Sequence, residues 1–356
     1  MGKVQHYVPR LLLKNFSTDP EGNFINIHLL NANKFILPGT LYGQAQEDYL
    51  YGSDQKLEKF FAMLEGETAP VINKLLNRDL NLTNEEKLHL KLFIMYQMNR
   101  TPGNVDLLND TIESMIKNIA SHDIFLKDKL DEFSTEINKP YMFLFSMATR
   151  AIHVVMDLRI GLLESNQNNP FVIGQNPVIR LNPFLQTKGW KFSTQGLILK
   201  GVMIIMPISS QFSVILYDCY RYTLVNKKPE WLINEDDINL LNRLQYLNTD
   251  ECIYFKHNPD INYYTQISNE TQAFRNDIKA TIKILKKPII KNNKMEETVN
   301  SGIKEYPIVQ QFSFYVYKNN AYLEKISNDI EAKRDVMPNF IQEEIDRRLR
   351  DKYGKT

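Results

Sequence analysis

Residues 57–76 read LEKFFAMLEGETAPVINKLL, and they decide the helical character of the first half of the chain. Apolar side chains recur in this stretch at steps of three and four residues, which is the period of an amphipathic α-helix. The stripe consists of Leu57, Phe60, Phe61, Leu64, Val71, Ile72 and Leu75. We expect Ser53 or Asp54 to cap this helix, and Pro70 to kink or divide it because proline removes an intrahelical hydrogen bond.

Other helices are predicted on either side of this stretch. They are a short helix in residues 6–16 opened by Pro9, a helix capped by Asn84 that ends at Arg100, one over 105–119, and one from Pro140 to about Leu163. The alternation of apolar and polar residues in 23–37 predicts a β-hairpin between the first two helices.

The pattern changes after residue 170, where short β-type runs follow one another between turn residues. The runs are Phe171–Ile173, Val178–Leu181, Leu197–Met206, Phe212–Tyr217 and Tyr222–Val225. Helices are predicted again over about 235–250 and 263–286, followed by a strand over Val309–Tyr317 and two terminal helices, the second opened by Pro338.

This order of elements predicts an α+β protein, in which a helical N-terminal half packs on a mainly antiparallel sheet and further helices follow at the C-terminal end. A single core stops growing at roughly 250–300 residues, so the 356-residue chain is expected to carry more than one unit. We predict a main domain over residues 1–287, a linker over 288–307 and an appendage over 308–356. The linker is polar and is bracketed by prolines.

The composition excludes several classes of protein. Lys and Arg number 43 against 42 Asp and Glu, so the near-neutral net charge of +1 gives no general reason to expect nucleic-acid binding. No run approaches the roughly 20 apolar residues of a membrane span, and the opening residues lack the apolar core of a signal peptide. With only two cysteines, Cys219 and Cys252, we expect a cytoplasmic protein with inert thiols and no disulfide framework. The composition predicts no oligomeric state.

Many catalytic motifs are missing from the sequence. It has no Walker loop, no GxGxxG and no GxSxG, so ATPase, Rossmann and α/β-hydrolase functions lose their main support. The histidines show no paired metal-ligand spacing, so we predict neither a zinc site nor a cofactor.

Glu65 is the most informative residue of the long helix, because it shares the apolar stripe of Phe61 and Ile72. Arg100 follows Phe93 and Gln97 at helical spacing, so it also points with apolar residues. One interpretation is a buried ion pair that clamps two antiparallel helices. The other is a polar site, in which Arg100 holds a phosphate or another anion and Glu65 orients it or acts as a base.

The segment HYVPR, His6 to Arg10, with Phe16 after it, resembles the opening signature of a bacterial family classed as a domain of unknown function. Further matching stretches follow in the same order, and the resemblance covers about residues 6–255. They are LEKFFAMLEG with Glu65, YQMNRTP with Gln97 and Arg100, the turn FVIGQNPV, and NLLNRLQYLNTDECIY with Asn242, Gln245 and Asn248. In this family the turn usually reads Ser-Asp-Asn-Pro, whereas here it reads Gly174-Gln175-Asn176-Pro177. The family has no established activity.

His6 has two interpretations. It either bonds to the backbone and fixes the N-terminal segment on the helices, or acts as a general acid or base, since an unperturbed histidine titrates near neutral pH. The presence of His6 in the family signature favours a role in function. His153 and Asp157, four residues apart with Arg150 on the same helical face, are either an oriented histidine or a surface pair.

Polar amides form a second group of candidates. Asn242, Gln245 and Asn248 follow one helical stripe, where they either bond to backbone or line a ligand pocket. A small-ligand sensor would use a pocket lined by Gln97, Asn176, Asn242 and Gln245.

A local basic stretch is the third candidate. Arg275, Lys279 and Lys283 repeat at intervals of four residues, which predicts a basic ridge on one helix face. Such a ridge is either simply solvated or contacts the phosphates of RNA or DNA.

The leading functional hypothesis is a nuclease-like hydrolase of phosphodiesters or nucleotides, with His6, Glu65, Gln97 and Arg100 as its catalytic residues. A histidine, an arginine and a carboxylate suffice for RNA cleavage without a metal. Uncharacterised bacterial families of this size often prove to be defence effectors, which extends the hypothesis to an anti-phage role. The alternatives are a non-catalytic module that binds nucleic acid or protein, and the small-ligand sensor.

Overall fold

The structure is a computed structural model that describes residues 4–51, 56–120, 140–165, 169–190, 193–225, 233–256, 261–275, 280–291, 294–303, 311–328 and 330–336. Its fold class is α+β, as predicted, with antiparallel strand pairing in every sheet of the described part. Within that part, no helix is both long and apolar enough to cross a membrane.

The helices precede and flank the sheets. They are α1 (Arg10–Leu13), α2 (Lys56–Leu76), α3 (Asn84–Gln97), α4 (Pro102–Ala120), α5 (Pro140–Arg150), α6 (Pro183–Thr187), α7 (Glu235–Leu247), α8 (Ile261–Arg275) and α9 (Asn319–Leu323). Short 3₁₀ helices span Lys14–Phe16 and Ile152–Val155. Helix α2 runs through Pro70 without being divided.

Four strands after residue 170 are shorter than the apolar runs that predicted them, whereas the strand Phe212–Tyr217 has the predicted bounds. The strands are β1 (Val4–His6), β2 (Phe24–Leu29), β3 (Lys34–Thr40), β4 (Gln46–Asp48), β5 (Arg159–Glu164), β6 (Ile173–Gly174), β7 (Ile179–Leu181), β8 (Met203–Pro207), β9 (Phe212–Tyr217), β10 (Tyr222–Leu224), β11 (Cys252–Phe255), β12 (Ala280–Lys291), β13 (Lys294–Ile303) and β14 (Tyr315–Tyr317). Two four-stranded sheets form, in the orders β3-β2-β11-β6 and β5-β9-β8-β7, while β1-β4, β10-β14 and β12-β13 are two-stranded.

The β5-β9-β8-β7 sheet is covered on both faces, which explains the continuous apolar character of its central strands. Ile204 and Val214 point into a core shared with α2 and α3. Their neighbours Ile205 and Ile215 point into a second core shared with α7. A third, smaller core lies between α7, α8 and the β2-β11 pair, around Tyr246.

Three predicted helix boundaries were wrong. Thr83 rather than Asn84 caps α3, because its side chain accepts from the amide of Glu86 while the Glu86 carboxylate accepts from the amide of Thr83. This helix ends at Gln97 and not at Arg100. The helix expected from Pro140 to about Leu163 ends at Arg150, and the 3₁₀ helix Ile152–Val155 and the strand β5 follow it.

The helix expected over 263–286 was also wrong beyond Arg275. A β-hairpin, β12 and β13, follows it and includes part of the predicted linker. The alternation in Thr281-Ile282-Lys283-Ile284 has a period of two and is rich in β-branched residues, which favours a strand. The helix predicted from Pro338 lies outside the described residues.

Residues 311–328 and 330–336 pack against earlier parts of the chain. Strand β14 pairs with β10, and the hydroxyl of Ser313 donates to the carboxylate of Asp237 on α7 at 2.6 Å. Arg334 is 7% exposed and donates to Asp157, which precedes β5. The division into a main domain, a linker and an appendage stays a prediction.

Candidate functional site

Glu65 and Arg100 meet, as the apolar stripes of their helices predicted. A guanidinium Nη1 of Arg100 donates to Oε1 of Glu65 at 2.8 Å. The Arg100 side chain is 2% exposed and the Glu65 side chain 24%. The pair therefore joins the middle of α2 to the chain that follows α3, with the carboxylate at the edge of the core.

The other polar contacts of Arg100 are also with the protein. Its Nε donates to the hydroxyl of Tyr51 at 3.2 Å, and its Nη2 donates to the backbone carbonyl of His6. The guanidinium carbon lies 4.3 Å from the centre of the Phe61 ring, a cation–π contact. In this structure the Arg100 guanidinium binds groups of the protein itself. This agrees with the interpretation of the pair as a buried ion pair that clamps two parts of the chain together.

The N-terminal segment is fixed through its backbone by these neighbours. Gln97, which is 1% exposed, donates to the carbonyl of Tyr7 at 2.8 Å. The hydroxyl of Tyr51 donates to the carbonyl of His6 at 2.9 Å. The side chains of Gln97, Arg100 and Tyr51 thus bind main-chain carbonyls of the segment and not the imidazole of His6.

The His6 imidazole is half-buried beside two cations. Burial, followed by the charges of Arg100 and Arg10, lowers its pKa, and a hydrogen bond with the side chain of Gln46 acts against this shift. A lowered pKa keeps the ring neutral at neutral pH, which is the form that accepts a proton.

Glu58 is a site residue that the sequence analysis missed. It lies on α2 seven residues before Glu65 and is half-buried near Arg100. Within the described residues, its buried Oε2 has no hydrogen-bond partner. Burial raises the pKa of this carboxyl, the charge of Arg100 opposes the rise, and the charge of Glu65 adds to it. The spacing of Glu58, Phe61 and Glu65 at steps of three and four would have placed it beside the predicted pair.

The amides of α7 bond to backbone. Asn242 donates to the carbonyl of Pro170 at 3.0 Å and accepts from the amide of Val172 at 3.1 Å. Gln245 donates to the carbonyl of Pro177 at 2.8 Å and accepts from the amide of Gly174 at 3.0 Å. Of the two alternatives for this stripe, the structure therefore shows the backbone-bonding one.

The turn at Gly174–Pro177 is held from the same side. Asn248 donates to the carbonyl of Asn176 at 2.6 Å, and Gln175 donates to the hydroxyl of Tyr7 at 2.8 Å. The side-chain Oε1 of Gln175 accepts from the backbone amides of Glu251 and Cys252. Gln175, at the position where the resembled family usually has Asp, thus links the N-terminal segment to β11.

The predicted helical group of Arg150, His153 and Asp157 does not form, because α5 ends at Arg150. The Nδ1 of His153 lies 2.8 Å from the carbonyl of Arg150, and Asp157 binds Arg334 at 2.9 Å. The carboxylate therefore anchors the C-terminal segment of the chain.

The prediction of a basic ridge on one helix face was also wrong. Helix α8 ends at Arg275, Lys283 lies on the strand β12, and Lys279 lies outside the described residues. Arg275 is half-buried near Tyr246, and burial lowers its pKa. Its side chain is therefore part of the third core region, near α7.

Cys219 and Cys252 are half-buried free thiols, and burial raises the pKa of Cys252 to about 11. Among the described residues, no group of three or more His, Cys, Asp or Glu side chains is placed to hold a metal ion.

Fold and site together define an α+β protein with a half-buried polar cluster of His6, Glu58, Glu65 and Arg100 at its N-terminal segment. The chain belongs to a family of proteins of unknown function (DUF4238), which matches residues 4–259. The matched range contains the whole cluster and ends after β11. Neither the curated proteins nor the solved structures contain a match to the chain.

Proposed function

We propose that the protein is a nuclease-like hydrolase of phosphodiesters that needs no metal, with RNA as its substrate. The observation that carries this proposal is the placement of His6 and Glu58 near the buried Arg100, with a lowered pKa for the imidazole and a raised pKa for the carboxyl. Two groups that are near the same buried cation and whose pKa values are displaced in opposite directions are suited to act as base and acid.

The reaction follows from these two groups. Neutral His6 takes the proton of a ribose 2′-hydroxyl, and the resulting oxygen attacks the adjacent phosphorus. The bond from phosphorus to the 5′-oxygen breaks, and protonated Glu58 gives this oxygen its proton. The products are a 2′,3′-cyclic phosphate and a free 5′-hydroxyl, so no external reactant is consumed.

Arg10 is the cation that this proposal assigns to the substrate phosphate. Its side chain is exposed at the start of α1, and its charge acts on His6. Arg100 is buried and bound to protein groups, so its part is to hold the His6 backbone and Glu65 in place. Glu65 and Gln97 are positioning residues on the same grounds.

Cleavage of a labelled RNA by the purified protein tests the assignment. His6→Ala and Glu58→Gln should each lower the rate by about 100-fold or more, while the melting temperature stays close to that of the wild type. Arg10→Ala should also lower the rate. Lys14→Ala, which removes an exposed cation just after α1, is the matched control and should leave the rate unchanged.

The pH dependence of cleavage gives a second readout. Activity should rise with pH as His6 loses its proton and fall at higher pH as Glu58 loses its own. The residual activity of Glu58→Gln should lack the decline at higher pH.

Full activity in a well-folded His6→Ala protein would remove His6 from the mechanism. A wild type that cleaves neither RNA nor DNA and hydrolyses no nucleotide would end the hydrolase proposal and leave the binding module. A defence role adds one expectation, namely that wild type but not His6→Ala slows growth or reduces phage yield when induced in a bacterial host.

A further inference from the structure

A second polar pocket lies away from the His6 cluster, between the chain that precedes α3, helix α3 itself and the start of β5. It is a cavity of about 280 Å³. Its lining includes Leu80, Leu82, Lys87, Lys91, Arg159 and Cys219. This volume is at the lower end of the range for small-molecule sites, so any ligand must be small.

Lys91 is the unusual residue of this cavity, because its side chain is 3% exposed. Its Nζ donates to the carbonyls of Met156 at 2.6 Å and Leu158 at 2.8 Å. An ammonium group has three N–H donors, and within the described residues no acceptor takes the third. An N–H of a buried ammonium that lacks a hydrogen-bond partner is costly. An acceptor inside the cavity that takes the third N–H of Lys91 would therefore stabilise it.

The charges around Lys91 favour an anion as that acceptor. Lys87 and Arg159 line the cavity and are exposed. The carboxylate of Asp157 also lines it, but this group is already bound by the guanidinium of Arg334 at 2.9 Å. The cavity therefore combines excess positive charge with apolar walls.

We propose that this cavity binds a small organic anion, whose phosphate or carboxylate group accepts from Lys91 and lies near Lys87 and Arg159. Its apolar part would lie against Leu80 and Leu82. A phosphate and a carboxylate share the chemistry that these groups recognise, namely a charged oxygen acceptor.

Binding should depend on pH through Lys91. Burial lowers the pKa of its ammonium to about 8, and the groups that act on it are Asp157, Lys87, Arg334 and Cys219. Phenyl phosphate is a dianion throughout pH 7 to 10, so a loss of affinity above about pH 8 would report the deprotonation of Lys91. Cys219→Ser should lose affinity over the same pH range as the wild type. This result would assign the loss to the amine of Lys91 and not to the thiol of Cys219.

Calorimetric titration of the full chain with phenyl phosphate and with hexanoate, at constant ionic strength, tests the proposal. Binding of either probe supports it, and the tighter probe identifies the anion. Lys87→Ala should weaken binding about fivefold, and Leu82→Trp should abolish it by filling the cavity. Lys34→Ala, which removes an exposed lysine on β3, is the matched control and should bind like the wild type.

Two results would overturn the proposal. One is the absence of binding of both probes to the wild type at millimolar concentration. The other is an equal loss of affinity in Lys87→Ala and Lys34→Ala, which would indicate general screening of charge rather than a site. Lys87 is exposed, so its variant tests the idea even if Leu82→Trp does not fold.

Discussion

At the scale of single residues, Arg100 is a buried cation that is stabilised from several sides. Glu65 supplies the opposite charge, the carbonyl of His6 and the hydroxyl of Tyr51 take further N–H groups, and Phe61 packs against the guanidinium plane. Burying a charge is unfavourable unless it is paired and hydrogen-bonded. Arg100 therefore contributes to the conformation of the N-terminal segment, together with Gln97 and Tyr51.

Glu65→Ala should lower the free energy of unfolding by about 3 kcal/mol, because it leaves the Arg100 charge buried without its counter-ion. Lys59→Ala, an exposed change on the same helix, should cost less than about 0.5 kcal/mol. Urea titration measures both. Equal midpoints for Glu65→Ala and the wild type would show that the pair contributes nothing to stability.

His28 is a second buried titratable residue. Its Nδ1 and Nε2 lie 2.9 Å from the hydroxyl of Tyr246 and from the amide oxygen of Asn33, and its ring stacks on Phe35 at 4.0 Å. Burial lowers its pKa from the ordinary 6.5, a hydrogen bond with Asn33 opposes this, and Arg275 adds to it. The folded state therefore takes up a proton less readily than the unfolded chain.

The sign of the resulting pH dependence is fixed. A histidine whose pKa is lowered in the folded state contributes its full stability above about pH 6.5, where the ring is neutral in both states. This contribution is lost as the pH falls towards the pKa of the folded state, because the unfolded chain takes up the proton first. His28→Gln should be less stable than the wild type at pH 8 but should lose less stability between pH 7 and pH 5. Thermal melts at several pH values measure this, and parallel curves would exclude His28 as a source.

At the scale of elements, side chains of α7 form hydrogen bonds with the backbone of the segment 170–177. In a sheet, the backbone of a neighbouring strand would form such bonds. Asn242 and Gln245 each accept one amide and donate to one carbonyl of the segment 170–177. Both residues are 1% exposed or less. These side chains, and not water, therefore satisfy the backbone groups that they bind. The position of β6, and through Gln175 that of Tyr7, follows from this helix.

Gln245→Leu should lower the free energy of unfolding by about 2–4 kcal/mol, because it leaves the amide of Gly174 and the carbonyl of Pro177 buried without partners. Arg243→Ala removes a pair with Glu270 whose side chains are 41% and 37% exposed, and should cost less than about 1 kcal/mol. Chemical denaturation compares the two. A Gln245→Leu protein as stable as Arg243→Ala would show that water replaces the lost bonds.

At the scale of the whole molecule, Arg334 is one of the side chains that bind the C-terminal segment, in addition to strand pairing and the contact of Ser313 with Asp237. Arg334 donates to the carboxylate of Asp157 at 2.9 Å and to the carbonyls of Leu197 and Leu199 at 2.9 and 2.7 Å. These contacts connect residues that lie far apart in the chain. We therefore expect the described part of the C-terminal region to unfold together with the rest.

Arg334→Met should lower the free energy of unfolding by about 3–5 kcal/mol, because it leaves Asp157 and the carbonyls of Val154, Leu197 and Leu199 without their partner. The whole transition should shift, with fluorescence and circular dichroism still coinciding. Lys333→Ala, an exposed neighbour, should leave the midpoint unchanged. An early, separate transition in Arg334→Met would instead support the appendage predicted over 308–356.

The sequence by itself determined the elements whose signals are local. The apolar stripe of α2, the proline that opens α1, the alternation of β2 and β3, and the α+β order of the chain all follow from nearest neighbours along the backbone. It also determined that Glu65 and Arg100 would meet, because a charge on an apolar stripe must find a partner. The capping box of Thr83 and Glu86 is equally local, although the sequence analysis placed the cap at Asn84.

Only the tertiary structure decided the elements whose form depends on distant residues. Arg159–Glu164 has an apolar run that fits either a helix or a strand, and it is a strand because β9 supplies its hydrogen-bond partners. Likewise, the side-chain amides of α7 could bind a ligand or backbone groups. They bind backbone groups because folding places the segment 170–177 beside them. The burial of Arg100 and the raised pKa of Glu58 also come from neighbours brought together by folding, since pairing, burial and charge act across space rather than along the chain.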